Sequence, residues 1–381
     1  MRGRSPRVEM TRRDILRLAG AGASLLTVGP VLAACGGSTT SSSVGSGTAT
    51  ALQGSTDFNN ANLKKLASAI KQQLQGKDLS QLKIAMVINI PGDYWTPGQN
   101  GLLAGAKDLG FSAIFQAPTG GDLAKQISIL ETLNAQRYDY SLSAIDPAAA
   151  RGPVDTAVTA GQNVIAIDSP LTGTKTPLLY LGTPNTDAGK KAGDAVRSVL
   201  GGKGDVAILT GSLTAANALQ RIAGFKSALG SGINVVQTLN DQGDHAKAES
   251  NAETALQANP NLAAMYGVYS YNGPQAAQAL KAAGKAGKIK LICDDVESDA
   301  VAQFIKSGVI QGTAVQDPYQ QGYMTAFVLA AMRVLGKDAT NQLLQPYVTA
   351  GSDGVTTLSS GVGLVTKDNL DAYSSVLTGA A

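Results

Sequence analysis

Residues 83–110 read KIAMVINIPGDYWTPGQNGLLAGAKDLG. The run Ile84-Ala85-Met86-Val87-Ile88 is continuous and apolar, the pattern of a strand covered on both faces. A polar loop at 89–98 follows. Beyond it Leu102, Leu103, Ala106 and Leu109 stand at helical spacing, and Gly110 is a helix stop. The spacing predicts a β-loop-α unit whose loop carries Asp93, Tyr94 and Trp95, the last being the chain's only tryptophan. In open α/β sheets the rim beyond the strands' carboxyl ends is where ligands bind. A lone tryptophan there is oddly placed for a core residue.

The same alternation runs through the rest of the chain. Strand-like runs fall at 83–90, 112–117, 138–145, 163–168, 178–182, 205–210, 234–239, 263–269, 288–294 and 310–315. Helical segments lie between and after them at 122–136, 147–160, 187–200, 215–229, 245–259, 273–286, 298–306 and 318–335. Repeated βα units imply parallel sheets with helices on both faces. About ten strands exceed one comfortable twisted sheet. They also exceed the eight of a TIM barrel, and no phosphate-loop pattern occurs near the end. The expected architecture is α/β, as two doubly wound parallel-sheet lobes.

With 381 residues, 44% hydrophobic and 15% charged, the chain can bury two cores. Aromatic content of 5% beside 44 glycines favours tight turns and alanine-rich helices over a bulky core. The net charge is +3, and Arg2, Arg4, Arg7, Arg12, Arg13 and Arg17 all precede the body, so no nucleic-acid surface is expected. One histidine, His245, and two cysteines, Cys35 and Cys293, exclude a His/Cys zinc site within the chain. No cofactor is expected.

Residues 1–35 have the form of a signal peptide, with an arginine-rich start and an apolar, glycine- and alanine-rich stretch at 19–34. Thr11-Arg12-Arg13-Asp14-Ile15-Leu16-Arg17 resembles the twin-arginine export signal, and Leu32-Ala33-Ala34-Cys35-Gly36 resembles the bacterial lipobox. Cys35 is therefore the expected lipidation site and the membrane anchor. Residues 36–56, rich in Ser, Thr and Gly, read as a flexible tether. Residues 57–82 hold an amphipathic helix with Leu63, Leu66, Ile70 and Leu74 on one face, expected to pack outside the first lobe. Cys293, beside Leu291 and Ile292, reads as buried and inert.

Strand after strand ends in a polar residue: Asn89 with Asp93, then Asp146, Asp168, Asn240 with Asp241, Asn272, Asp295 and Gln316. Any one carboxylate of this set could simply cap the next helix. As a set around one rim with Trp95, they suit a polyhydroxylated ligand. Carboxylates and amides pair with hydroxyls, and an aromatic face packs on the C–H face of a sugar ring.

In order along the chain, Ile84–Trp95 (IAMVINIPGDYW), NVIAIDS at 163–169, NTDAGKKAG at 185–193, QRIAGF at 220–225, YSYNGPQA at 269–276, KLICDD at 290–295 and IQGTAVQDPYQQG at 310–322 resemble the type I periplasmic sugar-binding proteins of ABC importers. The resemblance covers about residues 83–369. It implies two lobes joined by a multi-stranded hinge, with the ligand between them: 83–185 plus 317–357, and 186–316 plus 358–381. It further implies Asp93 and Trp95 as first-lobe binding residues assisted by Tyr94, Asp168 and Asp295 as aspartates contacting sugar hydroxyls, and Gln316 as a hinge glutamine. Asn272 is the nearest amide to a family asparagine, with Tyr269 and Tyr271 as competitors. Two arginines of the family's pattern are replaced, by Ser169 and by Leu219, which disfavours uronic acids. Arg221 matches a structural arginine. Residues 240–244 lack calcium-loop spacing and read as a turn and helix cap, with His245 a solvated residue.

The resemblance implies a lipid-anchored, monomeric receptor that closes on a sugar or polyol and presents it to a membrane permease. A sugar or autoinducer receptor for chemotaxis or a sensor kinase is the alternative with the same fold. An enzyme is disfavoured: a hydrolase would want a serine nucleophile elbow and a suitable histidine, and the one histidine, His245, reads as a solvated residue. A sugar-responsive repressor would need an N-terminal helix-turn-helix where this chain has an export signal.

Overall fold

The computed structural model describes residues 49–56, 58–296, 299–351 and 354–379. The signal peptide, the lipobox with Cys35 and most of the tether lie outside the described residues. Among the described residues, no helix is long and apolar enough to cross a membrane.

Two sheets organise the body. The first takes β1 (Ile84–Val87), β2 (Ala113–Gln116), β3 (Asp139–Leu142), β4 (Val164–Ile167), β5 (Leu179–Gly182), β11 (Val348–Ala350) and β12 (Thr356–Ser359), in the order β11-β12-β5-β4-β3-β1-β2. The second takes β6 (Gly204–Thr210), β7 (Ile233–Asn240), β8 (Leu262–Gly267), β9 (Lys290–Asp294), β10 (Gly312–Val315) and β13 (Gly363–Val365), in the order β13-β10-β9-β8-β6-β7. The first five strands of each sheet are parallel and share one doubly wound order, with the earliest strand between its second and third. β11 and β13 are antiparallel additions at the edges. The two α/β lobes expected from the alternation are thus present, and the chain is α/β throughout.

Helices cover both faces of each sheet. On the first, α1 (Asn60–Leu74), α2 (Thr96–Leu109), α10 (Pro318–Val334) and α11 (Lys337–Leu344) share one apolar core. The other face carries α3 (Leu123–Ala135) and α4 (Pro147–Thr159). On the second sheet, α5 (Asn185–Leu200) and α6 (Ala216–Ala228) cover one face. The other carries α7 (His245–Ala258), α8 (Asn272–Ala282), α9 (Asp299–Lys306) and α12 (Leu370–Leu377). The short elements β11, β12, β13, α11 and α12 lie beyond residue 335, where the periodic alternation of the sequence ends.

The chain passes between the sheets after β5, after β10 and after β12. Strand β12 continues to Ser359, so the last passage lies at residues 360–362 rather than at 357–358. Glycines let the helices flanking the passages touch. A Cβ on Gly322 of α10 would stand 1.8 Å from the Gly98 carbonyl oxygen on α2, and one on Gly189 of α5 would stand 1.9 Å from the Arg221 carbonyl oxygen on α6. Both helix pairs therefore approach backbone to backbone.

Two expectations change here. Residues 49–56 are not a free end of the tether but lie on the second lobe, where Ser55 pairs with Leu364 of the edge strand β13. Trp95 is not a loop residue in solvent. It is 4% exposed and belongs to the first lobe's core, since the loop folds back as a short 3₁₀ turn over Asp93–Trp95.

Candidate ligand-binding cleft

Strand ends from both lobes converge on a cleft of about 410 Å³. The first lobe contributes Asn89, Tyr94, Trp95, Asp168 and Ser169. The second contributes Asn217, Arg221, His245, Tyr269, Tyr271 and Asp295, with Gln316 at the passage after β10. Of the residues singled out in the sequence, Asn89, Tyr94, Trp95, Asp168, Tyr269, Tyr271, Asp295 and Gln316 line this cleft. Asp93 and Asn272 do not.

Asp168 follows β4 and Asp295 follows β9, at equivalent places in the two lobes. Both adopt the left-handed backbone region, with φ of 61° and 64°. That conformation is uncommon for a residue with a side chain and carries strain on the order of 1–3 kcal/mol. Neighbours impose it. The Tyr180 hydroxyl donates to the Asp168 carbonyl at 2.9 Å. The Asp295 N–H donates to the Ala314 carbonyl at 2.7 Å, and the Thr313 hydroxyl donates to the Asp295 carbonyl at 3.0 Å. Among the described residues neither aspartate caps a helix, whereas Asp146, Asp244 and Asp317 do.

Arg221 is the charge centre. It is 2% exposed, donates from Nε to Asn185 Oδ1 at 2.9 Å and from Nη1 to the Val268 carbonyl at 3.1 Å. The same Nη1 lies 3.3 Å from Asp294 Oδ2 and 3.5 Å from Asp295 Oδ2. The sequence reading of Arg221 as structural is thus incomplete, because it also lines the cleft and sets the charge of its carboxylates. Burial pushes the Asp168 carboxyl up to about 6 and the Asp294 carboxyl up to about 7, with Arg221 pulling both back. Burial raises Asp295 as well, against the same guanidinium.

The carboxylates are only partly engaged. Ser143 donates to Asp168 Oδ2 at 3.1 Å, and Gln316 Nε2 donates to Asp295 Oδ2 at 2.9 Å. Asp295 Oδ1 and the Tyr94 hydroxyl are buried and have no hydrogen-bond partner among the described residues. Both belong to residues that face the cleft. A buried polar atom left unpaired costs about 1–3 kcal/mol, so a ligand hydroxyl that meets it regains that energy.

Gln126 fixes the first-lobe rim. Its amide donates to the carbonyls of Ile88 and Ser143 at 2.8 and 2.9 Å and accepts from the Ile145 N–H at 2.9 Å, tying the ends of β1 and β3 together. Asn89 then accepts from the Trp95 indole at 3.2 Å. With its ring packed in the core, Trp95 offers the cleft little exposed surface.

Ring surface comes from the other lobe, where Tyr269 and Tyr271 are half-buried and His245 is exposed. Tyr269 and Tyr271 lie parallel at 6.2 Å, and His245 stacks on Tyr271 at 4.5 Å. The tyrosine hydroxyls donate inward, to Asn217 Oδ1 at 3.1 Å and to Asp241 Oδ1 at 2.5 Å. His245 is therefore part of a cleft wall and not merely solvated. Asn272 is turned away from the cleft: it donates to Asp241 Oδ2 at 2.8 Å and accepts from the Tyr269 N–H at 3.0 Å. It sets the tyrosine loop. Asp93 is exposed on the outer side of its turn.

Sequence reasoning missed Asn217 and His245. Asn217 stands four residues before Arg221 on α6, hence on the same helix face, and that spacing was available as a signal.

The profile of the family described as periplasmic binding protein domain matches residues 84–338. The chain belongs to that family. It is 28% identical over 242 residues to the D-allose-binding periplasmic protein of Escherichia coli (strain K12), covering 60% of this chain and 77% of that one. It is 29% identical over 220 residues to the D-ribose/D-allose-binding protein of Pseudomonas aeruginosa, covering 55% and 69%. Among solved structures it resembles an ABC transporter solute-binding protein from Burkholderia graminis C4D1M in complex with D-arabinose. The TM-score is 0.67 and the identity 29%, covering 78% of this chain and 99% of that one. These relatives are named as binding proteins, and none is named as an enzyme.

Proposed function

We propose that this chain is the solute-binding protein of an ABC importer for a sugar or sugar-like polyol, held between the lobes. One observation carries the reading: two aspartates at equivalent strand ends of opposite lobes, Asp168 and Asp295, share one cleft in an enforced left-handed conformation. Relatives named for allose, ribose and arabinose support the ligand class. Closure requires a ligand that touches both lobes. Here Asn89, Tyr94 and Asp168 act from one side, and Asn217, Asp295 and the Tyr269–Tyr271 wall from the other. The ligand is bound and released unchanged.

The lobes of this proposal are 83–185 plus 317–359 and 186–316 plus 360–381; the extent of β12 to Ser359 supports the last boundary. The chain is exported by the twin-arginine route, acylated at Cys35, held on the outer face of the cell membrane, and works as a monomer beside its permease. The order of twin arginines, apolar stretch and lipobox in residues 11–36 supports this.

A thermal-shift screen of the protein against pentoses, hexoses, polyols and glycosides tests the ligand class, because a ligand that binds only the folded form raises the melting temperature by mass action. At least one sugar or polyol is expected to raise it in a dose-dependent way. A panel without effect at millimolar concentrations contradicts the proposal.

A further inference from the structure

We propose that the N-terminal strap formed by residues 49–56, Phe58 and Asn59 is a fourth connection between the lobes, and that Phe58 and Tyr373 are positioning residues for the cleft glutamine Gln316.

The strap begins on the second lobe. The Thr50 N–H donates to the Ser198 carbonyl at 3.1 Å. Ser55 and Leu364 exchange both backbone hydrogen bonds at 2.7 Å, extending the second sheet beyond β13. Phe58 is 7% exposed and packs in the second lobe's core. Two residues later α1 begins, and its Leu63, Leu66 and Ile70 are buried in the first lobe's core. The strap therefore enters one core and leaves into the other within one short stretch.

It runs along the third passage between the lobes. Asn59 donates from Nδ2 to the Ser359 carbonyl at 2.7 Å and from its N–H to the Ser360 carbonyl at 3.4 Å. Glycines on the passage make the fit possible. A Cβ on Gly361 would stand 2.6 Å from the Asn59 nitrogen, and one on Gly363 would stand 2.8 Å from Phe58 Cζ.

The strap also reaches the second passage. The Phe58 ring lies 6.2 Å from that of Tyr373 on α12. The Tyr373 hydroxyl, buried, donates to the Gln316 carbonyl at 3.0 Å. Gln316 in turn donates to Asp295 at 2.9 Å. The line Phe58, Tyr373, Gln316, Asp295 is continuous from the strap to a cleft carboxylate. With the strap in place, the Gln316 backbone keeps its position while the lobes move about it. Without that support, the glutamine and the aspartate it holds become looser, and bound ligand leaves faster.

The affinity readout of this proposal rests on the sugar-binding reading; the distance readout does not. In the full chain, Tyr373→Phe removes only the hydroxyl, while Phe58→Ala empties the strap's place in the core and Phe58→Leu refills most of it. Tyr373→Phe is expected to weaken ligand binding about 3- to 10-fold while the chain stays folded, with a cooperative melt at a slightly lowered midpoint. Phe58→Ala is expected to weaken it at least as much, and Phe58→Leu to recover most of the loss. Spin labels at Lys107→Cys and Lys226→Cys, exposed on α2 and α6, report the distance between lobes. The ligand-free distribution is expected to broaden in Phe58→Ala. If Phe58→Ala does not fold, affinity and distance in Tyr373→Phe decide. Unchanged affinity together with an unchanged distance distribution overturns the proposal. If no sugar binds the unaltered chain, the ligand reading fails, and the distances still decide the strap.

Discussion

Replacing Arg221 by methionine tests the electrostatic account of the cleft. The substitution keeps an unbranched stem and removes a guanidinium whose Nη1 stands 3.3 Å from Asp294 and 3.5 Å from Asp295. Breaking a buried ion pair by deleting one partner costs about 3–5 kcal/mol, because the remaining charge keeps its desolvation penalty without compensation. The bonds to Asn185 and to the Val268 carbonyl are lost too. A loss of about 4 kcal/mol lowers the melting temperature by about 6 °C in a chain of this size. The pH dependence separates charge from packing. These aspartates already titrate above their ordinary value in the folded chain. Without Arg221 they rise further, so the folded variant holds an extra proton that the unfolded chain has released. Stability is then lost as pH rises, and each extra proton steepens the fall by about 1.4 kcal/mol per pH unit. Urea denaturation at pH 6, 7 and 8 should show the deficit of Arg221→Met growing with pH. A deficit below about 1 kcal/mol, or one independent of pH, would show that Arg221 does not hold these carboxylates by charge.

Two further outcomes follow from the same geometry. In the unaltered, ligand-free protein, Asp168 and Asp294 are pushed up to about 6 and about 7, so the folded state binds more protons than the unfolded one above pH 4. Their contribution to stability is present at low pH and is lost as pH rises through 6 to 7, and thermal melts from pH 5 to 8 should fall accordingly when ligand is absent. Gly189→Ala places a methyl where only 1.9 Å separates it from the Arg221 carbonyl oxygen, so α5 and α6 must part; a loss of about 2 kcal/mol and weaker ligand binding are expected in calorimetry, since Arg221 moves with α6.

Much of this was legible in the sequence because a strand buried on both faces leaves a plain mark. Ile84 to Ile88 and its counterparts place the sheets, and the residue just beyond each strand is then at the rim. Asp168, Asp295 and Gln316 were found that way. The same rule fails where a side chain turns back. Asn272 stands at a strand end but holds Asp241, and Asp93 starts a turn that points it to solvent while burying Trp95. Spacing along the chain cannot give that orientation. Arg221 reads from the sequence as structural, yet the carboxylates it serves lie 73 and 74 residues away, at the end of β9, and only folding pairs them. The strap was hidden for a different reason. Its composition is that of a linker, and what docks it is the open edge of β13 and the glycines at 361 and 363, far along the chain.

The central claim is that one sugar or polyol is held by both lobes at once. Titration calorimetry of the strongest hit from the ligand panel tests it directly, with the unaltered chain, Asp168→Asn and Asp295→Asn measured side by side. One ligand per chain is expected, with a dissociation constant near micromolar, about −8 kcal/mol, and a loss of at least tenfold in each variant, because each aspartate belongs to a different lobe. Full affinity in either variant, or no heat with any sugar or polyol, would contradict it.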